Sequence, residues 1–194
     1  MFFIKFFHSG ILLTFLVFSF NLYGQINHAD YFTVTPGDQL RWNAYFEFID
    51  NTAMEPLAKA DSVFQFALTE YKKGQFSKTR ELCEIALTLK NQFPEAHVLI
   101  GKAYVSSSKI CNNFRGQKSL KGEVIWPAID EWENAIAQGD KSEGTKQLIE
   151  RYSKYLPSKE EFKTCWTKST AEEGDDYFVG CWIQRETRLL FRQE

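Results

Sequence analysis

The sequence predicts an all-α chain of paired helices closed at its C-terminus by a small β-hairpin. Three observations carry that reading. Between about residues 56 and 157, apolar residues recur at helical spacing in segments that open on proline or stop at glycine. The first and third of these segments overlay when shifted by about 34 residues, a period of helix-turn-helix repeats. Near the C-terminus, "DYFVGCWI" is aromatic-rich, β-branched and alternating, the signature of a strand. At 194 residues, 44% hydrophobic and 16% aromatic, the chain can bury one sizeable core.

The elements follow in order. "MFFIKFFHSGILLTFLVFSFNLYGQ" places Lys5 before an uncharged apolar run strongest over residues 11–20. That layout predicts a signal peptide over 1–24 and a mature start at Gln25. The run is shorter than the ~20 apolar residues that span a bilayer, so no stable membrane span is expected after cleavage. Without Lys5, the 23 Lys+Arg of the whole chain fall to 22 against 25 Asp+Glu. A net charge so mildly negative gives no footprint for nucleic acid, and no run of like charges suggests a membrane-surface tail. An N-terminal extension over 25–53 holds the turn signal "TPGD" and a short helix in "DQLRWNAYFEFID", with Leu40, Trp42, Phe46 and Ile49 as packing residues. Asn51 or Thr52 would cap the next helix, with Pro56 in its first turn.

The helical region is expected over 54–157. "PLAKADSVFQFALTEYKKG" stops at Gly74, and "QFSKTRELCEIALTLKNQF" sets Phe76, Leu82, Ile85, Ala86 and Leu89 on one side. Pro94 opens "PEAHVLIGKAYVSSSK", where His97, Ile100 and Gly101 overlay Val63, Phe66 and Ala67. Later, "TKQLIERYSKYLP" puts Leu148, Ile149, Tyr152 and Tyr155 on one face and ends at Pro157. A loop is expected over 111–126, and a C-terminal cap over 158–194 pairs "DYFVGCWI" with "TRLLF" across "QRE". About five or six helices result.

"AHVLIGKAY" resembles the opening of a tetratricopeptide (TPR) repeat, through His97, Ile100, Gly101 and Tyr104. Ala128, Trp132 and Ala135 match its second-helix half; Thr79, Cys83 and Ala86 hold those places one repeat earlier. The resemblance covers about residues 56–157, or two to three repeats, and implies that the glycine admits a closely packed partner helix. It also implies a concave groove lined by the first helix of each repeat: Phe64, Leu68, Tyr71, Lys72, Val98, Lys102 and Val105. Such a groove suits a partner helix or extended segment, although residues 25–53 or the C-terminal tail would serve equally to fill it. A signal peptide ending in "GQ", the repeats and the C-terminal Gly174, Asp175, Tyr177, Val179, Gly180, Trp182, Ile183 and Thr187 together resemble exported TPR proteins of the Bacteroidota. That second likeness bears on compartment and fold alone.

Four cysteines in an exported chain raise the question of disulfides, and three full pairings are open. Cys83 aligns with Trp132 as an inward-facing core filler. Cys111 starts the long loop and Cys181 lies on the expected strand, so the favoured bridge is Cys111–Cys181. A thiol nucleophile at Cys165 or Cys181 needs a base, and the mature chain offers only His28 and His97, the latter at a core-facing position. No C-x-x-C or H-x-x-x-H spacing points to a metal, and "EEGDD" lacks calcium-loop spacing. The expectation is therefore no catalytic residue, cofactor or metal. The expected role is an exported interaction module or scaffold at the periplasm or outer membrane, bound to another protein or peptide segment of the envelope. The competing classes are a thiol-dependent redox or hydrolytic enzyme using Cys165 or Cys181, and a carrier of a small apolar ligand.

Overall fold

The computed structural model describes Glu47 and residues 55–111, 122–165 and 171–193, the side chain of Cys165 excepted. The expectations for the signal peptide, most of the N-terminal extension and the centre of the long loop lie outside these residues. The chain divides into units 1–50 and 51–194, and the elements below belong to the second. Seven helices occur among the described residues: α1 (Pro56–Lys72), α2 (Phe76–Leu89), α3 (Pro94–Ser106), α4 (Ser108–Cys111), α5 (Ile125–Ala137), α6 (Glu143–Ser153) and α7 (Lys159–Cys165). Strands β1 (Asp176–Val179) and β2 (Arg185–Arg188) form one antiparallel hairpin. The fold is mostly helical; α4, at the start of the expected long loop, and α7, in the C-terminal cap, were not expected as separate helices.

Local chemistry sets the helix ends. Pro56 and Pro94 lie in the first turns of α1 and α3, where no backbone N–H is needed. Gly74 takes φ +76° after α1, and its N–H closes the turn on Tyr71 O at 2.9 Å. Ser142 caps α6 by accepting from the Thr145 N–H. Ser158 and Glu161 cap α7 reciprocally: the Ser158 N–H donates to Glu161 Oε2 at 2.8 Å, and the Glu161 N–H to Ser158 Oγ at 3.1 Å.

The helices pack in sequence order, α1 on α2, α2 on α3 and α3 on α5, with α6 against α5. Ala60, Val63 and Ala67 are the buried stripe of α1, and Thr79, Leu82, Cys83 and Ala86 that of α2. In α5, Trp126, Ala128, Ile129, Trp132 and Ala135 are buried. Gly101 is where α3 and α5 close: a Cβ there would sit 2.8 Å from Trp132 Cε2 and 2.9 Å from the Ala128 carbonyl oxygen. Trp132 Nε1 donates to Val98 O at 3.3 Å across the same junction.

Several expectations need correction. The N-cap of α1 is Glu55, with no side-chain capping bond, rather than Asn51 or Thr52. Phe66, the counterpart of buried Ile100, is 44% exposed, because α1 is the first of the packed helices described. Tyr155 lies beyond the end of α6 and is 65% exposed, while Leu148, Ile149 and Tyr152 are half-buried. The long loop expected to reach 126 ends earlier, because Val124, Ile125 and Trp126 are core residues and Trp126 Nε1 donates to Leu190 O at 2.8 Å.

The hairpin also departs from its expected register. Asp176 pairs with Arg188 and Val179 with Arg185, so residues 180–184, not "QRE", make the connection. Cys181, Trp182 and Ile183 are therefore in the turn rather than on a strand. All three are buried in the helical core, which pulls them out of the ladder, and Gln184 closes the turn at φ +42°.

Candidate functional site

The seven expected groove residues fall on two helices that both lean on α2 and touch each other sparsely. On α1, Phe64, Leu68 and Tyr71 recur at i, i+4 and i+7 beside the buried stripe, and all three are half-buried. Lys72 is exposed. On α3, Val98, Lys102 and Val105 are half-buried in the same way. Tyr71 Oη lies 3.0 Å from Ser106 Oγ and ties the C-terminal ends of the two helices. Phe64 packs on Phe93 with ring centroids 4.9 Å apart. Leu57, one turn before Asp61 on the same side of α1, is 60% exposed. The result is a row of apolar side chains with cations toward the C-terminal ends of both helices.

The C-terminal hairpin sits elsewhere. Arg80 of α2 donates to Ile183 O at 2.6 Å and lies over the Trp182 ring, 5.3 Å from its centroid. Trp182 Nε1 donates to Ser107 Oγ at 2.9 Å. Thr187 Oγ1 donates to Asp130 Oδ2 at 2.5 Å, and Tyr177 Oη to Glu123 Oε1 at 2.9 Å. None of these partners is one of the seven groove positions.

Beneath the hairpin an ionic cluster gathers around one buried carboxylate, with the Arg185 side chain 38% exposed. Glu131 of α5, 1% exposed, accepts from Arg185 Nη1 of β2 through one oxygen. Its other oxygen lies 2.6 Å from His97 Nδ1 of α3. Arg185 Nη1 also donates to Tyr104 Oη at 3.4 Å. Burial alone would loosen the Arg185 proton, but Glu131, with Tyr104, outweighs it and holds the guanidinium more firmly charged. Burial raises the Tyr104 hydroxyl pKa, and it raises those of the Glu84 and Asp130 carboxyls against the nearby arginines. A shallow depression of about 350 Å³ opens beside Arg185, with Glu133, Asp176 and Arg188 on its rim.

The cysteines settle into distinct roles. Cys111 and Cys181 form a disulfide with Cα atoms 5.3 Å apart, and both are buried. The bond is the form expected in an oxidising compartment. Cys83 is a free thiol with no exposure, and burial, followed by the nearby Glu131 and Glu84 charges, pushes its pKa far above the ordinary thiol range. Cys165's side chain and His28 lie outside the described residues. His97, the other candidate base, has Nδ1 on Glu131 and Nε2 on Gln138, at 2.6 and 2.8 Å. No group of His, Cys, Asp and Glu suited to a metal occurs among the described residues. No described helix is long and apolar enough to cross a membrane.

The Glu131 cluster is what the sequence reading missed. Its signal was present: Glu131 lies three residues after Ala128 and four before Ala135, both inward-facing, so helical spacing puts it on the buried side. Compared with known proteins, the chain matches no protein-family model, and neither a curated protein nor a solved structure is detectably similar to it.

Proposed function

We propose that this chain is a non-catalytic, tetratricopeptide-like interaction module, exported to the periplasm or the outer membrane, that holds a peptide segment of another envelope protein. The observation that carries the reading is the half-buried apolar row on α1 and α3, to which the C-terminal hairpin makes none of its hydrogen bonds described above. The occupant that fits is an amphipathic segment. Its apolar side faces Phe64, Leu68, Tyr71, Val98 and Val105, and acidic residues at one end meet Lys72 and Lys102. The engagement of Cys181 in a disulfide and of both His97 ring nitrogens in hydrogen bonds supports a non-catalytic role.

Affinity capture from native envelopes tests this. The wild-type chain is expected to retain a defined protein that a Leu68→Glu/Val98→Glu variant of unchanged fold loses. A partner-free monomer in every extract, or equal capture by the variant, would overturn the proposal.

A further inference from the structure

A chain of directed hydrogen bonds joins the N-terminus of α3 to the C-terminus of α5, and it contains a titratable ring. The Phe93 N–H, at the N-cap of α3, donates to Gln138 Oε1 at 3.0 Å. That main-chain donor fixes which end of the Gln138 amide is oxygen. Gln138 Nε2 therefore points its N–H at His97 Nε2, 2.8 Å away, and Nε2 is the acceptor. The ring proton then resides on Nδ1 and donates to Glu131 Oε2 at 2.6 Å. Glu131 Oε1 is taken by Arg185. Every group in the chain has one direction available to it.

We propose that Phe93, Gln138 and His97 form an acid-sensitive clasp that releases the first turn of α3 from the end of α5 when His97 takes up a proton at Nε2. The added proton sets two N–H donors against each other. The Gln138 amide cannot relieve this by turning over, because its oxygen would leave the Phe93 N–H and its NH₂ would face it. The surrounding charges do not supply a substitute acceptor. From α5, Glu131 is already shared with Arg185 of β2; on α3 itself, the Tyr104 hydroxyl lies at Arg185. From α2, Cys83 and Glu84 are within the electrostatic reach of Glu131, but neither is hydrogen-bonded to the ring. Val98, a groove position, follows immediately, so the clasp acts on the start of that face. The inference does not depend on what the face binds.

Nitrogen NMR of the imidazoles in the full chain, with His97 assigned by loss of its signals in His97→Gln, reads the tautomer directly. Nδ1–H with unprotonated Nε2 is expected at neutral pH; an Nε2–H tautomer would overturn the proposal. Amide hydrogen exchange then reads the clasp. As His97 Nε2 takes up its proton in an acid titration followed by the same nitrogen signals, protection of the Phe93 amide should fall about fivefold after correction for intrinsic rates. The Ala103 amide should not change. In Gln138→Glu, whose carboxylate accepts from both Phe93 N–H and a protonated ring, Phe93 should stay protected through the same titration. Acid-independent protection of Phe93 in the wild type, or equal loss in Gln138→Glu, would refute the clasp.

Discussion

Gly101→Ala isolates the contact on which the helical array depends. Alanine is normally the better helix former by about 1 kcal/mol, so propensity alone predicts stabilisation. Packing predicts the reverse. The new Cβ would meet Trp132 Cε2 at 2.8 Å and the Ala128 carbonyl oxygen at 2.9 Å, and the indole nitrogen closer still. The carbonyl is backbone, and the Trp132 ring is fully buried with Tyr152 at its side, centroids 5.3 Å apart. Neither neighbour can swing away, so α3 and α5 must separate. Overpacking of this kind costs about 1–3 kcal/mol. Straining the Trp132 Nε1–Val98 O bond removes about 1 kcal/mol more. After the propensity gain, the net loss is about 1–3 kcal/mol, or a fall in Tm of roughly 3–10 °C. Urea denaturation followed by circular dichroism and tryptophan fluorescence measures it. Gly144→Ala, in α6 with only Ser142 Oγ at 3.9 Å, is the internal control and should be neutral or stabilising. If Gly101→Ala behaves like Gly144→Ala, the close-packing argument is wrong.

Further outcomes follow from the same structure. Arg185→Ala leaves Glu131 buried without its cation and should destabilise by about 2–4 kcal/mol; adding Glu131→Gln to that variant should restore part of the loss, read by a double-mutant cycle in urea. Cys111→Ser/Cys181→Ser opens a bridge between residues 70 apart and should cost up to about 4 kcal/mol, whereas Cys83 in the native wild type should resist alkylation at pH 8 until the chain unfolds. Hydrogen bonds from Thr145, together with those from Ser142, hold the Asp140 carboxyl below its ordinary pKa, so its stabilisation is present above about pH 4 and is lost as pH falls through the lowered folded value. The deficit of Asp140→Asn against wild type, measured by denaturation, should therefore be present at pH 7 and shrink as pH falls below about 4.

The helical framework was legible because its signals are local. Pro56, Pro94 and Gly74 mark helix ends through backbone geometry alone, and Thr79, Cys83, Ala86, Ala128, Trp132 and Ala135 are all fully buried, as the helical spacing requires. The Cys111–Cys181 bridge was legible from the position of the two cysteines, at the start of the long loop and in the C-terminal cap. What failed was non-local. Strand pattern alone ran the hairpin through Cys181 and Ile183, but their burial against the helices removes them from the ladder. Arg185 was assigned to the connection, so its pairing with Glu131, 54 residues earlier, had no starting point. Glu131 drew no reading from the sequence although its helical position faces inward. Tyr155 failed for a simpler reason: α6 ends at Ser153, before the face could extend to it.

The claim that the α1–α3 face is where this chain meets its partner can be tested by placing a photoreactive residue at Leu68 or Val98 and irradiating intact envelopes. Phe178, 54% exposed on the hairpin, serves as the comparison site. The account predicts a discrete cross-linked protein from positions 68 and 98 and none from 178. Cross-linking from 178 alone, or from no position at all, would contradict it.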